Sequence, residues 1–243
     1  MRRWLWMLAS VGCMGGPNLE TRIGELRVVA AKAEPAAVKP GEAYDLRLWV
    51  ADPLALGAEV LTWSCPDQAG DCLPQTSSVP TPSEGITPSF VQRRIAAPAP
   101  VWVLACPDGT CGDLDNPTAD QLRDPFGWLQ DLPLAGVSAG SRLPPVALDP
   151  TAEPPVNPTI QDAPKAMLDR EAIEVELSFS VEGATDAFGY ATSGGFESPS
   201  NPVDDKGTVT LTWVPDPEDE DGEAYVVFTN GSGGTEVWQA PIP

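Results

Sequence analysis

The clearest regularity along the chain is an alternation of apolar and polar residues with a period of two. In Tyr44-Asp45-Leu46-Arg47-Leu48-Trp49-Val50, the residues Tyr44, Leu46, Leu48 and Val50 share one side. That pattern predicts a strand with one buried face. The longest such run sets Ile173, Val175, Leu177, Phe179 and Val181 against Glu174, Glu176, Ser178, Ser180 and Glu182. Further strands are expected over 26–30, 60–65, 90–95, 142–148, 188–192, 208–213, 225–229 and 235–240. Val101-Trp102-Val103-Leu104-Ala105-Cys106 is apolar without a break, which predicts a central strand buried on both faces.

Between these runs the pattern changes. Asn116-Pro117 and Asp124-Pro125 each put a capping residue before a proline suited to a first helical position. Leu122, Phe126 and Leu129 then recur at helical spacing, so a short helical insertion is expected at about 117–131. Residues 73–100, rich in Pro, Ser and Thr, read as an irregular surface excursion apart from the strand at 90–95. Residues 149–164 hold Pro150, Pro154, Pro155, Pro158 and Pro164 and few apolar side chains, as a stiff linker would.

The opening order is a strand, the turn Lys39-Pro40-Gly41-Glu42, an alternating strand, a loop, and a strand carrying Trp63. This is how an immunoglobulin-like sandwich begins. The expected fold is therefore all-β, with two tandem Ig-like β-sandwiches. The first covers 26–148 with its helical insertion, and a smaller second one covers 165–243.

The first thirteen residues, MRRWLWMLASVGC, do not belong to this scheme. Arg2 and Arg3 precede a short apolar run that ends in small residues, the layout of a secretory signal over residues 1–12. The run is well short of the ~20 residues a spanning helix needs. Cys13 directly follows Gly12, as in a bacterial lipoprotein signal, which makes Cys13 the expected lipidation site and 13–25 a lipid-anchored tether. The match is relaxed, because Leu8 lies five positions before the cysteine and Ser10 stands where leucine is usual. Met14 rather than an aspartate follows Cys13, which points to an outer-membrane lipoprotein, periplasmic or surface-facing.

Composition narrows the chemistry. Lys and Arg number 14 against 35 Asp and Glu, a formal net charge of −21. Such a surface repels phosphate backbones, so no nucleic-acid partner is expected. The 28 prolines and 22 glycines disfavour long helices. The chain contains no histidine, which removes Ser-His-Asp and Cys-His catalysis and every imidazole zinc site.

Four cysteines follow Cys13: Cys65, Cys72, Cys106 and Cys111, and four allow three pairings. In an exported chain they are expected to form disulfides. If the strands ending at Cys65 and Cys106 run antiparallel, those two lie at opposite ends and the local pairs Cys65–Cys72 and Cys106–Cys111 are favoured. A zinc ribbon wants two to four residues between paired cysteines, and here there are six and four.

Acidic clusters raise the question of calcium. Asp216, Glu218, Asp219, Glu220 and Asp221 lie between two expected strands, but Pro217 breaks the calcium-loop spacing and a solvated hairpin explains the run. Leu168-Asp169-Arg170-Glu171 is similar to a cadherin calcium motif, without cadherin's other ligand motifs. Asp108, Asp113 and Asp115 form a third cluster. The calcium candidates are thus Asp219, Asp221, Asp169 and Glu171, each with the plainer reading of a solvated loop. No metal and no other cofactor is expected. Nothing singles out two carboxylates for glycoside hydrolysis, and Trp49, Trp63, Trp102, Trp213 and Trp238 read as core rather than as a sugar platform.

The segments AEPAAVKPGEAYDLRLWVADP, LTWSCP, DPFGWLQDLPLAGVS, VNPTI and WVPDPEDEDGEAYVVFTNGSGGTEVW, in that order, resemble an uncharacterised family of bacterial surface lipoproteins with tandem Ig-like domains. The resemblance covers most of 19–243 and implies a non-enzymatic binding or structural module of the cell envelope, with no catalytic residues to carry over. The implied partners are the membrane, through the lipid anchor, and a protein or glycan at the cell surface. A carbohydrate-binding or carbohydrate-processing surface protein and a calcium-rigidified adhesion module are the competing expectations.

Overall fold

A computed structural model describes residues 19–36, 43–54, 58–64, 73–78, 90–96, 101–107, 138–142, 156–165 and 168–243, the strands between 58 and 142 by their backbone. The chain is all-β: among the described residues, the one helical element is a 3-10 turn, Leu19–Thr21. The helical insertion expected at about 117–131 lies outside the described residues.

Among the described residues, seven strands occupy the N-terminal part: β1 (Arg27–Glu34), β2 (Ala43–Ala51), β3 (Ala58–Ser64), β4 (Leu73–Ser78), β5 (Phe90–Ala96), β6 (Val101–Pro107) and β7 (Ser138–Arg142). They form one sheet in the order β1-β2-β5 and a second in the order β4-β3-β6-β7. Eight more follow: β8 (Thr159–Asp162), β9 (Val175–Glu182), β10 (Asp186–Ala191), β11 (Gly195–Phe196), β12 (Asn201–Pro202), β13 (Thr208–Val214), β14 (Gly222–Thr229) and β15 (Thr235–Ile242). Their sheets run β12-β10-β14-β15 and β11-β13-β9-β8. In each half, the first two strands share a sheet with later ones (β5 in the first; β13 and β11 in the second), while the third strand lies in the other sheet together with the last two. That is immunoglobulin-type strand order.

The alternation in β2 does what its pattern predicts. Tyr44, Leu46, Leu48 and Val50 are all buried. In the C-terminal half, Leu177, Phe179 and Val181 of β9 meet Val209, Leu211 and Trp213 of β13, with Phe179↔Val209 and Leu177↔Leu211 directly opposite. Phe179 stands edge-on to both Phe228 and Trp238, with ring centroids 5.2 Å apart in each case. The buried Trp213 indole satisfies its N–H on the Ser193 carbonyl at 3.1 Å.

Several boundaries differ from the sequence expectation, each for a local reason. Ile173 is 81% exposed and outside β9, because Ala172 N–H closes a turn onto the Asp169 carbonyl and delays the strand to Val175. Residues 73–100 contain β4 as well as β5, and Pro74 is accommodated because β4 is an edge strand. Inside the expected linker 149–164, Thr159–Asp162 is a strand paired with β9. Ser138–Arg142 is a strand that the alternation does not predict, and the expected strand over 142–148 lies outside the described residues beyond Arg142.

The edge strand β15 is blunted along its outer side. Its Thr235 N–H is taken by the Asn157 side chain and its Val237 N–H by Glu236, and Pro241 offers none. Such measures prevent sheet-to-sheet pairing between molecules.

Close packing across the core makes a specific test. A Cβ on Gly189 of β10 would fall 2.5 Å from Cγ of the fully buried Phe196, whereas one on Gly231 would meet nothing within 4 Å. Gly189→Ala is expected to cost about 1–3 kcal/mol by overpacking. Gly231→Ala should stay within about 0.5 kcal/mol of wild type. Urea unfolding midpoints of the two variants measure the difference.

Candidate functional site

The sheet β12-β10-β14-β15 has two faces, and both are covered. Its inner face gives Ala187, Ala191, Ala224, Val226 and Phe228 to the core. Period two sends Phe188, Tyr190, Tyr225, Val227 and Val237 to the opposite face. There they meet Ile23, Val29, Ala30, Trp49 and Ala51 from the N-terminal part of the chain. As a result, every residue from 224 to 228 is buried. Trp49 and Ala51 reach this contact because they alternate with the core-facing Leu48 and Val50. Burying each large side chain here contributes about 1.5–3 kcal/mol.

The segment entering β1 is fastened to the same half of the molecule. Thr21 is fully buried, its hydroxyl donating to the Phe196 carbonyl at 3.0 Å and accepting from the Phe196 N–H at 2.8 Å. Arg22 forms a parallel bridge with Ala191, and Ile23 N–H donates to the Ala191 carbonyl at 2.7 Å. The described end of the expected lipid-anchored tether, 13–25, is therefore docked through Thr21, Arg22 and Ile23.

Arg22 also organises the acidic loop. Its guanidinium bonds Asp216 Oδ2 at 3.0 Å and Asp219 Oδ1, while Asp219 Oδ2 accepts the Gly194 N–H at 2.7 Å. Arg170 donates to the Asp219 carbonyl at 2.8 Å and to Asp221 Oδ1 at 2.9 Å. Two of the four calcium candidates, Asp219 and Asp221, are thus held by guanidinium groups. The third, Asp169, accepts the Glu171 N–H at 2.9 Å in a local turn, and Glu171 is exposed. Among the described residues, no group of three or more potential ligands is arranged to hold a metal ion.

A second set of polar ties lies at the far end of β1. Lys32 bridges Glu34 at 2.8 Å and Glu236 of β15 at 2.7 Å, and Arg47 of β2 bonds Glu34 at 3.0 Å. Asn157 donates to the Ala33 carbonyl at 2.8 Å and accepts the Thr235 N–H at 3.0 Å, so one side chain links β1 to β15. Arg27 stacks over the Tyr190 ring at 4.9 Å. The Tyr225 hydroxyl donates to Glu223, which also accepts from Gln239 at 2.9 Å.

Two groups in this contact have shifted acidity. Burial works to lower the pKa of Lys32, but its hydrogen bonds and attraction to Glu236 and Glu34 outweigh burial and raise it. Burial first, and Glu223 second, raise that of Tyr225. Both raised values have the same linkage sign: the stabilisation is intact below the ordinary values of 10.5 and 10.0 and is lost as pH climbs through the raised ones.

Of the cysteines, Cys13, Cys65, Cys72 and Cys111 lie outside the described residues. Cys106 lies in β6 opposite Glu59 of β3. Strands β3 and β6 are antiparallel, so Ser64, the neighbour of Cys65, pairs with Val101 at the other end of the ladder. Ser64 also pairs with Leu73, which places the hairpin partners of β3 and β4 next to Cys65 and Cys72 in sequence.

No protein-family model matches the chain. No curated protein matches it. Among solved structures it aligns with the D0-D1 domain of intimin at a TM-score of 0.27 and 10% identity, over 88% of this chain and 98% of that one. The human OSCAR ligand-binding domain aligns at 0.27 and 10% identity, over 89% and 99%. The Yersinia pseudotuberculosis adhesin InvE aligns at 0.29 and 10% identity, over 95% of this chain and 61% of that one. Likeness at this level carries no argument about function.

Thr21→Val keeps the shape of the side chain but leaves the buried N–H and carbonyl of Phe196 without their partner. It is expected to cost about 2 kcal/mol, read by chemical denaturation, and to speed hydrogen exchange at Ile23. For the alkaline range, wild type should lose stability steadily above about pH 10. A Lys32→Met variant should show a shallower loss in a melting-temperature series from pH 8 to 11.5.

Proposed function

We propose that this is an exported, lipid-anchored cell-envelope protein whose two Ig-like sandwiches are held together as one non-enzymatic binding or structural module. The observation that carries the reading is the covered outer face of β10, β14 and β15. A module that must display loops at a fixed geometry gains from a shared apolar contact and from clasps at both ends of β1, whereas a flexible bead-on-string arrangement would leave that face wet. The absence of histidine supports a binding role over hydrolysis by a Ser-His-Asp or Cys-His site.

In this reading Cys13 is acylated and becomes the first residue of the mature protein, and the protein faces the periplasm or the cell surface from the outer membrane. The ligand is a protein or glycan met by loops and sheet faces. Export into an oxidising compartment allows Cys65–Cys72 and Cys106–Cys111 to form, each closing a short loop. The antiparallel register of β3 and β6 supports the local pairs, because it separates Cys106 from the end of β3 that leads to Cys65.

Labelling with a radiolabelled fatty acid in a Gram-negative host tests the anchor. Wild type should incorporate label and sediment with membranes, and Cys13→Ala should do neither. A Cys13→Ala protein that keeps both properties excludes the lipoprotein reading. Peptide mapping of the same preparation without reduction should recover the two local disulfides.

A further inference from the structure

The docked entry segment also orients the molecule. Its contacts, Thr21 to Phe196, Ile23 to Ala191 and Arg22 to Asp216 and Asp219, all fall at one end of the C-terminal sandwich. That end consists of the C-terminus of β10, strand β11, the 215–221 loop and the start of β14. Cys13 lies six residues before Leu19, and six residues span at most about 21 Å. The opposite end carries the turns at 204–207 and 230–234, separated from the first by the length of β14, Gly222–Thr229, or about 23 Å.

We propose that the 215–221 end is the membrane-proximal end of the protein and that the turns at 204–207 and 230–234 point away from the bilayer. The proposal rests on lipidation of Cys13. Without the docked segment, the free chain from Cys13 would continue through Leu26 to the start of β1, and the same anchor would leave the molecule far less oriented. With it, the tether is short and fastened to the C-terminal half, although in sequence it belongs to the N-terminal one. The exposed Glu218, Glu220 and Asp221 then stand close to the lipid headgroups. Two guanidinium groups do not neutralise the five acids of 216–221, so the surface this end tolerates is zwitterionic rather than anionic.

The test uses the full lipidated chain in phosphatidylcholine vesicles containing a nitroxide-labelled lipid, with a fluorescent non-canonical residue at Glu220 or at Ser232, both exposed. Quenching at 220 should exceed quenching at 232 by about threefold, given the separation of the two ends. Replacing part of the vesicle with anionic lipid should weaken quenching at 220, and salt should restore it. A Thr21→Val/Arg22→Ala variant, with the segment released, should bring the two positions closer together. Equal quenching at both positions, or more at 232, in protein that binds vesicles only when Cys13 is present overturns the orientation and leaves the anchor standing. Wild-type protein that fails to associate, or whose association survives Cys13→Ala, overturns the anchor and the orientation with it.

Discussion

Strand β14 can be buried on both faces only because something other than its own sandwich covers the second face. Ala224, Val226 and Phe228 are held in the core of the C-terminal half, while Tyr225 and Val227 are held by Trp49, Ala51, Ala30 and Ile23. If that cover were removed, the run of residues from 224 to 228 would present Tyr225 and Val227 to water along with Phe188, Tyr190 and Val237. The apolar contact therefore makes the two halves of the chain mutually dependent, and the polar contacts refine it. Arg22 and Thr21 fix one end of the covering layer, and Lys32 and Asn157 fix the other.

The polar ties differ in kind. The Thr21 hydroxyl serves two buried backbone groups, so its loss leaves unmet hydrogen-bonding demand in a dry site. The Arg22 bridges are partly exposed, which limits each to a small contribution, and their value lies in geometry: they draw the acidic loop into one conformation. Asp216, Asp219 and Asp221 consequently act as a counter-surface for two arginines, which gives these three a structural role.

Much of the fold was legible. The β2 alternation identified its buried face residue by residue, and the strands at 101–106, 208–213, 225–229 and 235–240 lie within strands of the structure. The antiparallel relation of β3 and β6, on which the expectation of local cysteine pairs depends, is present in the register. The short strands β8, β11 and β12 were not legible, because two to four residues carry no measurable period and Thr159–Asp162 sits among prolines. The contact between the halves left two traces in the sequence: apolar Trp49 and Ala51 at positions where β2 alternation calls for polar residues, and the unbroken Ala224-Tyr225-Val226-Val227-Phe228. Each is the mark of a strand covered twice.

By itself, the sequence determined which residues share a face, because side-chain direction along a strand follows from backbone geometry alone. It also determined that no imidazole chemistry is available, and where the expected export signal and the cysteines lie. What covers each face was decided only by the tertiary structure. Thr21 meets Phe196 across 175 positions and Lys32 meets Glu236 across 204, and no local pattern can encode a partner at that distance. The same physics turned an apparent tether into a docked segment: Thr-Arg-Ile has no period to read, and the burial of Thr21 and Ile23 depends on a sandwich end formed by residues about 170 positions further along the chain.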